Sequence, residues 1–423
     1  VLDLTAPAPI DPIVGSPPAG AMPSGSMPWT RPDEHWPRLT AATAHLPAPV
    51  AALDLGALRY NALDMLVRAG GAPIRVASKS VRVREVIDAV LRLPGYRGIL
   101  AFTLAEALWL AETHDDVVLG YPSVDRASLA RLVADERLAA RVTLMVDDLA
   151  QLDIVDSVAA PSARPTIRIA IDADASWRAP ALGHVGVRRS PLHTVAEVRD
   201  FGRAVASRPG FALVGLMMYE AQIAGQPDHD GRGDGVIRWM QGRSIAELRD
   251  RRGGIVAALR GIAPLEFVNG GGTGSLELTA ADTAVTEVTA GSGLFAGHLF
   301  DRYRAFAPAP ALAFAYDVVR RPTPDIATIL GGGWVASGPP LASRQPLPVW
   351  PTGLRALDRE GTGEVQTPLQ GENARTLSIG DRAWLRPSKS GEQLERIAEV
   401  QLVDGDTIAQ SLPTYRGEGK AFL

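Results

Sequence analysis

Lysine is scarce in this sequence, where Lys79, Lys389 and Lys420 stand among 43 basic residues. Lys79 closes the run Ile74-Arg75-Val76-Ala77-Ser78-Lys79, which reads as a strand delivering an amine at its C-terminal end. Partly removed from water, such an amine has a lowered pKa and forms a Schiff base with a carbonyl, chemistry that Arg cannot perform. A solvated loop Lys paired with a carboxylate is the plainer alternative, and the preference for Arg elsewhere favours chemistry.

A second kind of chemistry lies in two glycine-rich stretches. Asn269-Gly270-Gly271-Gly272-Thr273-Gly274-Ser275 and Ala290-Gly291-Ser292-Gly293-Leu294 each follow a strand-like run. Glycines let backbone N–H groups converge on an anion and Thr or Ser hydroxyls add donors, so both stretches suit a phosphate. Tyr219 and Glu220 end another apolar run. Tyr219 exchanges a proton if its pKa is lowered, with Glu220 to orient it. Arg188-Arg189 suits a substrate carboxylate or serves as a solvated pair. The seven His are scattered and there is no Cys, which excludes disulfides, thiolate nucleophiles and sulfur-ligated metals.

These residues need a scaffold that brings strand ends together. Apolar runs at 73–78, 98–103, 116–121, 142–147, 166–172, 211–219, 264–269 and 285–290 alternate with stretches of i, i+3, i+4 helical spacing such as VREVIDAVLRL. Eight successive strand–helix units predict an α/β fold, a (β/α)8 barrel over 49–308, in which Lys79 and both glycine loops sit at the catalytic mouth. Beyond 308, Gly/Pro punctuation and strand-like runs predict a second, mainly β C-terminal domain over 309–423. The front strand 50–55 is expected to join it, since a closed eight-stranded barrel has no place for a ninth. Residues 1–48, rich in Pro and Ala, read as an extended N-terminal arm pinned by Trp29 and Trp36. At 423 residues the chain is long enough for roughly three domains of ordinary size, or a barrel plus a smaller one. A formal charge of −4 and 46% hydrophobic residues, with no long apolar run, point away from nucleic acid and membrane and toward a small-molecule partner in the cytoplasm.

A reactive Lys at strand one with a phosphate cradle at strands seven and eight describes a site for pyridoxal phosphate. From about residue 48 to the C-terminus the sequence resembles the alanine-racemase-type (fold type III) pyridoxal enzymes, within them the D-threonine aldolase and D-serine dehydratase-like family. PVAALDLGALRYN, the Lys79 strand, GLMMYEAQ, NGGGTGS, AGSGLF and LPTYRGEGKAFL carry the resemblance. It implies an internal aldimine at Lys79, phosphate binding by Gly271, Gly272, Thr273, Gly274 and Ser275 and by Gly291, Ser292, Gly293 and Leu294, and a homodimer. It also implies a residue after the fifth strand facing the pyridine nitrogen, a place for which Arg178 and His184 compete. The divalent ion of the aldolase and dehydratase members is held by a His-containing pair, whereas Trp384–Glu392 here contains no His. The expected activity is a lyase acting on a β-hydroxy D-amino acid by aldol cleavage or dehydration, with Lys79 and Tyr219 catalytic and no metal. An amino acid racemase, a low-turnover pyridoxal-binding protein and a phosphosugar barrel enzyme are the alternatives.

Overall fold

The computed structural model describes residues 2–5, 27–179, 182–231 and 233–423. The expected eight strands form a closed parallel barrel. In chain order they are Ile74–Ala77, Tyr96–Ala101, Val117–Leu119, Val142–Val146, Ile167–Asp172, Phe211–Met218, Phe267–Gly270 and Glu287–Ala290. Each is short and apolar because both faces are covered, and helices fill the crossovers that parallel pairing requires. Many of those helices begin on a side-chain cap, such as Asp148, and Thr194 with Glu197 in a capping box.

The barrel interior is layered. On the fifth strand, Arg168, Ala170 and Asp172 share one face by the two-residue period of a strand. Arg168 joins an ionic layer at the N-terminal end, where buried Arg75 bonds Glu287 at 2.7 Å and Asp116 at 2.7 Å and Arg168 bonds Glu266 at 2.9 Å. Ala170 belongs to an apolar layer with Val118, Met145, Val214, Met217 and Phe267 from neighbouring strands. Asp172 then emerges at the C-terminal mouth. The barrel's compact unit comprises Met65–Lys79, Leu91–Gly291 and the last two residues.

The second unit gathers the described residues up to Asp64 with Ser80–Val90 and Ser292–Ala421. Its core is a nine-stranded sheet built around the long strand Leu312–Thr323. Val50–Asp54 pairs antiparallel with that strand and parallel with Glu399–Asp404, as a sheet member rather than a barrel member. The unit resumes at Ser292, before the expected start at 309, because the intervening segment is satisfied within it. Asn61 donates to Leu294 O and Ala309 O, and Arg386 bonds Asp301 and Ala296 O.

The expected extended arm is corrected over its last third. Residues 6–26 lie outside the described residues, but Pro32–Thr43 is an α-helix despite Pro37 within it. The lost hydrogen bond is offset by burial of His35, Trp36, Leu39 and Ala42 on one face. Trp36 packs 5.9 Å from Trp384, whose indole N–H donates to Thr40. No helix among the described residues is long and apolar enough to cross a membrane.

Candidate active site

At the C-terminal end of the first barrel strand the chain makes a single turn, Ser78–Ser80. Buried Ser78 fixes that turn by donating to Leu100 O at 3.1 Å. Lys79 then projects to Tyr121, just beyond the third strand. Its Nζ lies 2.8 Å from the Tyr121 hydroxyl and 5.3 Å from the ring centroid. The side chain is exposed, in contrast to the partial desolvation expected from sequence, because the mouth opens to solvent there.

Tyr219 follows the sixth strand and faces the same mouth. Between the two tyrosines stands Arg189, with its guanidinium carbon 5.3 Å from the Tyr219 ring and 5.6 Å from the Tyr121 ring. Burial pushes the Tyr219 phenol up to about 12, with Arg189 opposing the shift. Burial thus acts against the lowered pKa on which proton exchange by Tyr219 depends, and in the protein alone Tyr219 keeps its proton at neutral pH. Asp172 completes the group. Burial, aided by the nearby Asp147 and Asp174 carboxylates and resisted by Arg189, pushes its carboxyl up to about 7.

Glu220 does not orient Tyr219. The strand ends at Met218, and the turn sends Glu220 into the interior, where it is fully buried. There it accepts from Arg252 at 3.1 Å, from the Gly271 N–H at 3.2 Å, from Ser275 Oγ at 3.2 Å and from Thr279 Oγ1. Arg252 is in turn held by Asp282 at 2.6 Å. Glu220 is thus the anchor of the glycine loop. The Gly272 N–H donates to Ser275 Oγ at 3.2 Å. Gly271, Gly272 and Ser275 therefore commit these groups to shaping the loop, rather than aiming all of them at an anion as expected. Thr273 and Gly274 lie between them, and Gly271 takes φ +84, a conformation suited to glycine.

The loop's edges are close to the mouth. A Cβ at Gly272 would come within 3.0 Å of Ala224 Cβ and 3.3 Å of the Tyr219 ring, and one at Gly291 would overlap the Ala77 carbonyl oxygen. Ser292 and Gly293 begin the one-turn helix Ser292–Phe295 of the other unit.

Arg178 and His184 face each other on a hairpin, Trp177–Ala179 and Gly183–Val185. Arg178 pairs with Asp174 at 3.3 Å, while His184 lies 3.4 Å from Ser176 Oγ and 3.2 Å from Val187 O. Both are engaged around the hairpin, and the place against Tyr219 belongs to Arg189. Tyr121 and Asp172 were not singled out from sequence. Both close strand-like runs, 116–121 and 166–172, and counting every second residue along the fifth strand from Arg168 finds Asp172.

These residues fit a flat, phosphate-bearing aldehyde. An amine stands at one strand end, two tyrosines and a guanidinium line the mouth, and the glycine loop between Gly271 and Ser275 packs against Tyr219. A divalent ion finds no such fit. Among the described residues no three His, Asp or Glu side chains converge as ligands of one ion, and in the stretch 384–392 the Lys389 ammonium donates to Ser337 O and Oγ while Glu392 accepts from the Ser337 N–H.

The sequence matches the family described as "Alanine racemase, N-terminal domain" over residues 53–297. The 3-hydroxy-D-aspartate aldolase of Paracoccus denitrificans is 28% identical over 257 residues, covering 60% of this chain and 61% of that protein. The chain thus spans about three fifths of that relative's length. D-threonine aldolase of Arthrobacter sp is 27% identical over 317 residues, covering 72% of this chain and 77% of that protein. Among solved structures, D-threonine aldolase from Filomicrobium marinum superposes with a TM-score of 0.72 at 22% identity, over 88% of this chain and 96% of that one. D-threo-3-hydroxyaspartate dehydratase from Delftia sp. HT23 gives 0.68 at 20% identity, over 88% and 98%. At such identities the structural likeness is one of fold. The family match covers more than half of the sequence and includes the whole barrel, and the chain belongs to the alanine racemase N-terminal domain family.

Proposed function

We propose that this protein is a pyridoxal-phosphate-dependent lyase that cleaves or dehydrates β-hydroxy D-amino acids. The observation carrying this reading is the cluster at the mouth, in which Lys79 Nζ sits 2.8 Å from the Tyr121 hydroxyl and Arg189 stands between Tyr121 and Tyr219. The names of the relatives support the choice of reaction. Bound there, pyridoxal phosphate supplies a carbonyl carbon that condenses with amines and a ring that takes up the electron pair of a bond broken at Cα.

The chain's own residues divide the remaining work. Lys79 holds the cofactor covalently through Nζ, and the Tyr121 hydroxyl orients that nitrogen. Thr273 and Gly274, on the loop that Glu220 anchors, hold the phosphate together with Gly291 at the end of the eighth strand. Arg189 receives the substrate α-carboxylate, with its guanidinium plane set by the tyrosine rings. Tyr219 keeps its proton and donates a hydrogen bond. Asp172, with a carboxyl near 7, exchanges a proton at the substrate β-hydroxyl. Taking that proton drives Cα–Cβ cleavage, whereas in dehydration the Lys79 amine takes the Cα proton and Asp172 gives one to the β-hydroxyl, which leaves as water. The reading includes a homodimer in the cytoplasm, which rests on the family resemblance.

Borohydride reduction of protein loaded with pyridoxal phosphate, followed by peptide mass spectrometry, is expected to find the phosphopyridoxyl mass on Lys79. Incubation with D-threonine and D-3-hydroxyaspartate is expected to give glycine with an aldehyde, or an oxo acid with ammonia. Label at another residue, or recovery of only racemised amino acid, would overturn the reading.

A further inference from the structure

Lys79 and its partner Tyr121 take their positions from the same short stretch of backbone, the end of the second barrel strand. Ser78 Oγ donates to Leu100 O at 3.1 Å, and the Gly120 N–H, one residue before Tyr121, donates to Ala101 O at 2.8 Å. Phe102 comes next, and its N–H donates to Glu106 Oε2 at 2.7 Å in the first turn of the helix Leu104–Leu110. Consecutive residues of one strand end therefore hold the amine, hold its hydroxyl partner and tie both to a helix. The Phe102 ring meets Phe422 edge to face with centroids 6.4 Å apart, and Phe422 also lies 5.6 Å from the ring of Trp109 on that helix. Phe102 and Trp109 are only 6% and 8% exposed, so this aromatic group is closed to water. Phe422 belongs with the barrel, although residues 292–421 before it belong to the other unit.

We propose that Phe422 is a positioning residue for the Lys79 amine, a wedge that fixes the strand end from which both Lys79 and Tyr121 are held. This rests on the lyase reading for what the amine does, and adds a residue to it. Ser78 and Gly120 bond to main-chain carbonyls, so a shift of the 100–102 backbone is passed to both side chains and alters the 2.8 Å contact between Nζ and the Tyr121 hydroxyl. Phe102 is the lever on that backbone. An edge-to-face pair is directional, so it sets the orientation of the Phe102 ring as well as burying it, and each such contact shifts an equilibrium by roughly twofold to tenfold. An aliphatic side chain at 422 keeps much of the burial and loses the orientation.

The scarcity of lysine supplies the test, since isotope-labelled reductive methylation of the cofactor-free protein gives NMR signals for just Lys79, Lys389 and Lys420 besides the chain's α-amine. Lys79→Arg identifies the Lys79 signal, and Tyr121→Phe shows where it lies once the hydroxyl contact is gone. In Phe422→Ala and Phe422→Leu the Lys79 signal is expected to move toward its Tyr121→Phe position while Lys389 stays in place. Phe422→Tyr, which keeps the ring, is expected to retain the parent signal, and Phe422→Leu carries the comparison where the alanine variant does not fold. In protein loaded with pyridoxal phosphate, the rate at which borohydride-trapped label appears on Lys79 is expected to fall roughly threefold to tenfold in the Ala and Leu variants and to recover with Tyr. An unmoved Lys79 signal, or equal movement at Lys389 as a general loosening would cause, overturns the positioning role. Absence of label on Lys79 in the parent protein overturns the lyase reading instead, and the signal from cofactor-free protein still decides the role of Phe422.

Discussion

The Arg189 guanidinium lies 5.3 Å from the centre of the Tyr219 ring, and the same cation opposes the upward shifts of the Tyr219 phenol and the Asp172 carboxyl. One side chain therefore sets the stacking surface of the mouth and tunes the two proton-bearing groups beside it.

Replacing Arg189 with Gln removes that cation. The Asp172 carboxyl, already near 7, is then expected to rise further, because burial and the Asp147 and Asp174 charges act unopposed. The acid limb of the kcat/KM profile should move to higher pH. An unmoved limb, read alongside a carboxyl titration by NMR, would remove Asp172 from the proton path.

Glu220 and Gly271 suggest a second experiment. Glu220→Gln keeps the shape but replaces one acceptor oxygen with a donor facing Arg252, the Gly271 N–H or the hydroxyls of Ser275 and Thr279. Arg252 keeps Asp282, and losing one of its two buried carboxylate partners costs about 2 kcal/mol. Urea denaturation should show that loss, and pyridoxal phosphate affinity should fall at least about tenfold as the loop loosens. Native stability with unchanged affinity would contradict the anchoring role.

The sequence made much of this legible and left the anchor hidden. Strand runs and helical spacing alternate cleanly from 73 to 290, so the barrel and the place of Lys79 followed from periodicity alone. Glu220 could not be assigned because its partners Arg252, Gly271 and Thr279 lie far along the chain, and only the turn after Met218 sends it inward. Arg189 is legible only as half of an Arg188-Arg189 pair suited to a carboxylate or to solvent, because its place between Tyr121 and Tyr219 depends on contacts distant in the chain. Pro32 and Pro37 concealed the helix Pro32–Thr43, whose stability comes from tertiary burial of Trp36 and Leu39.

Asp172 also couples the fold to pH. In the unfolded chain an Asp has lost its proton by about pH 5, whereas the folded protein retains it up to about 7. The stabilising contribution is complete below the unfolded pKa and is lost as pH rises through the folded one. Asp172→Asn carries no charge at any pH, so it should gain on the parent by about 3 kcal/mol between pH 5 and pH 8. Parallel stability curves for the two proteins would refute the raised carboxyl.

Gly291 meets the first strand where Lys79 begins. A methyl there would overlap the Ala77 carbonyl oxygen, two residues before the amine. Gly291→Ala is expected to displace that strand end and cut borohydride labelling of Lys79, while circular dichroism stays native. Full labelling would show that the strand end tolerates the shift.

The remaining prediction concerns metal dependence. The resemblance implies a divalent ion in related aldolases and dehydratases, held through a His-containing pair in the C-terminal domain. In this chain the corresponding stretch is differently occupied. Ser388 Oγ donates to Ser343 O at 2.8 Å, Lys389 Nζ donates to Ser337 O at 2.8 Å, and Glu392 accepts from the Ser337 N–H at 2.8 Å. A hard cation gathers six or more oxygen ligands, and here the carboxylate is engaged and an ammonium stands close in the chain. Turnover is therefore expected to survive prolonged chelation, with Asp172 and Tyr219 serving the substrate hydroxyl. Lys389→His is not expected to confer dependence by itself, since one imidazole is a weak site without further ligands. Loss of turnover on chelation, restored by manganese or zinc, would mean that ligands from separate segments assemble an ion site and that the β-hydroxyl proton is handled there.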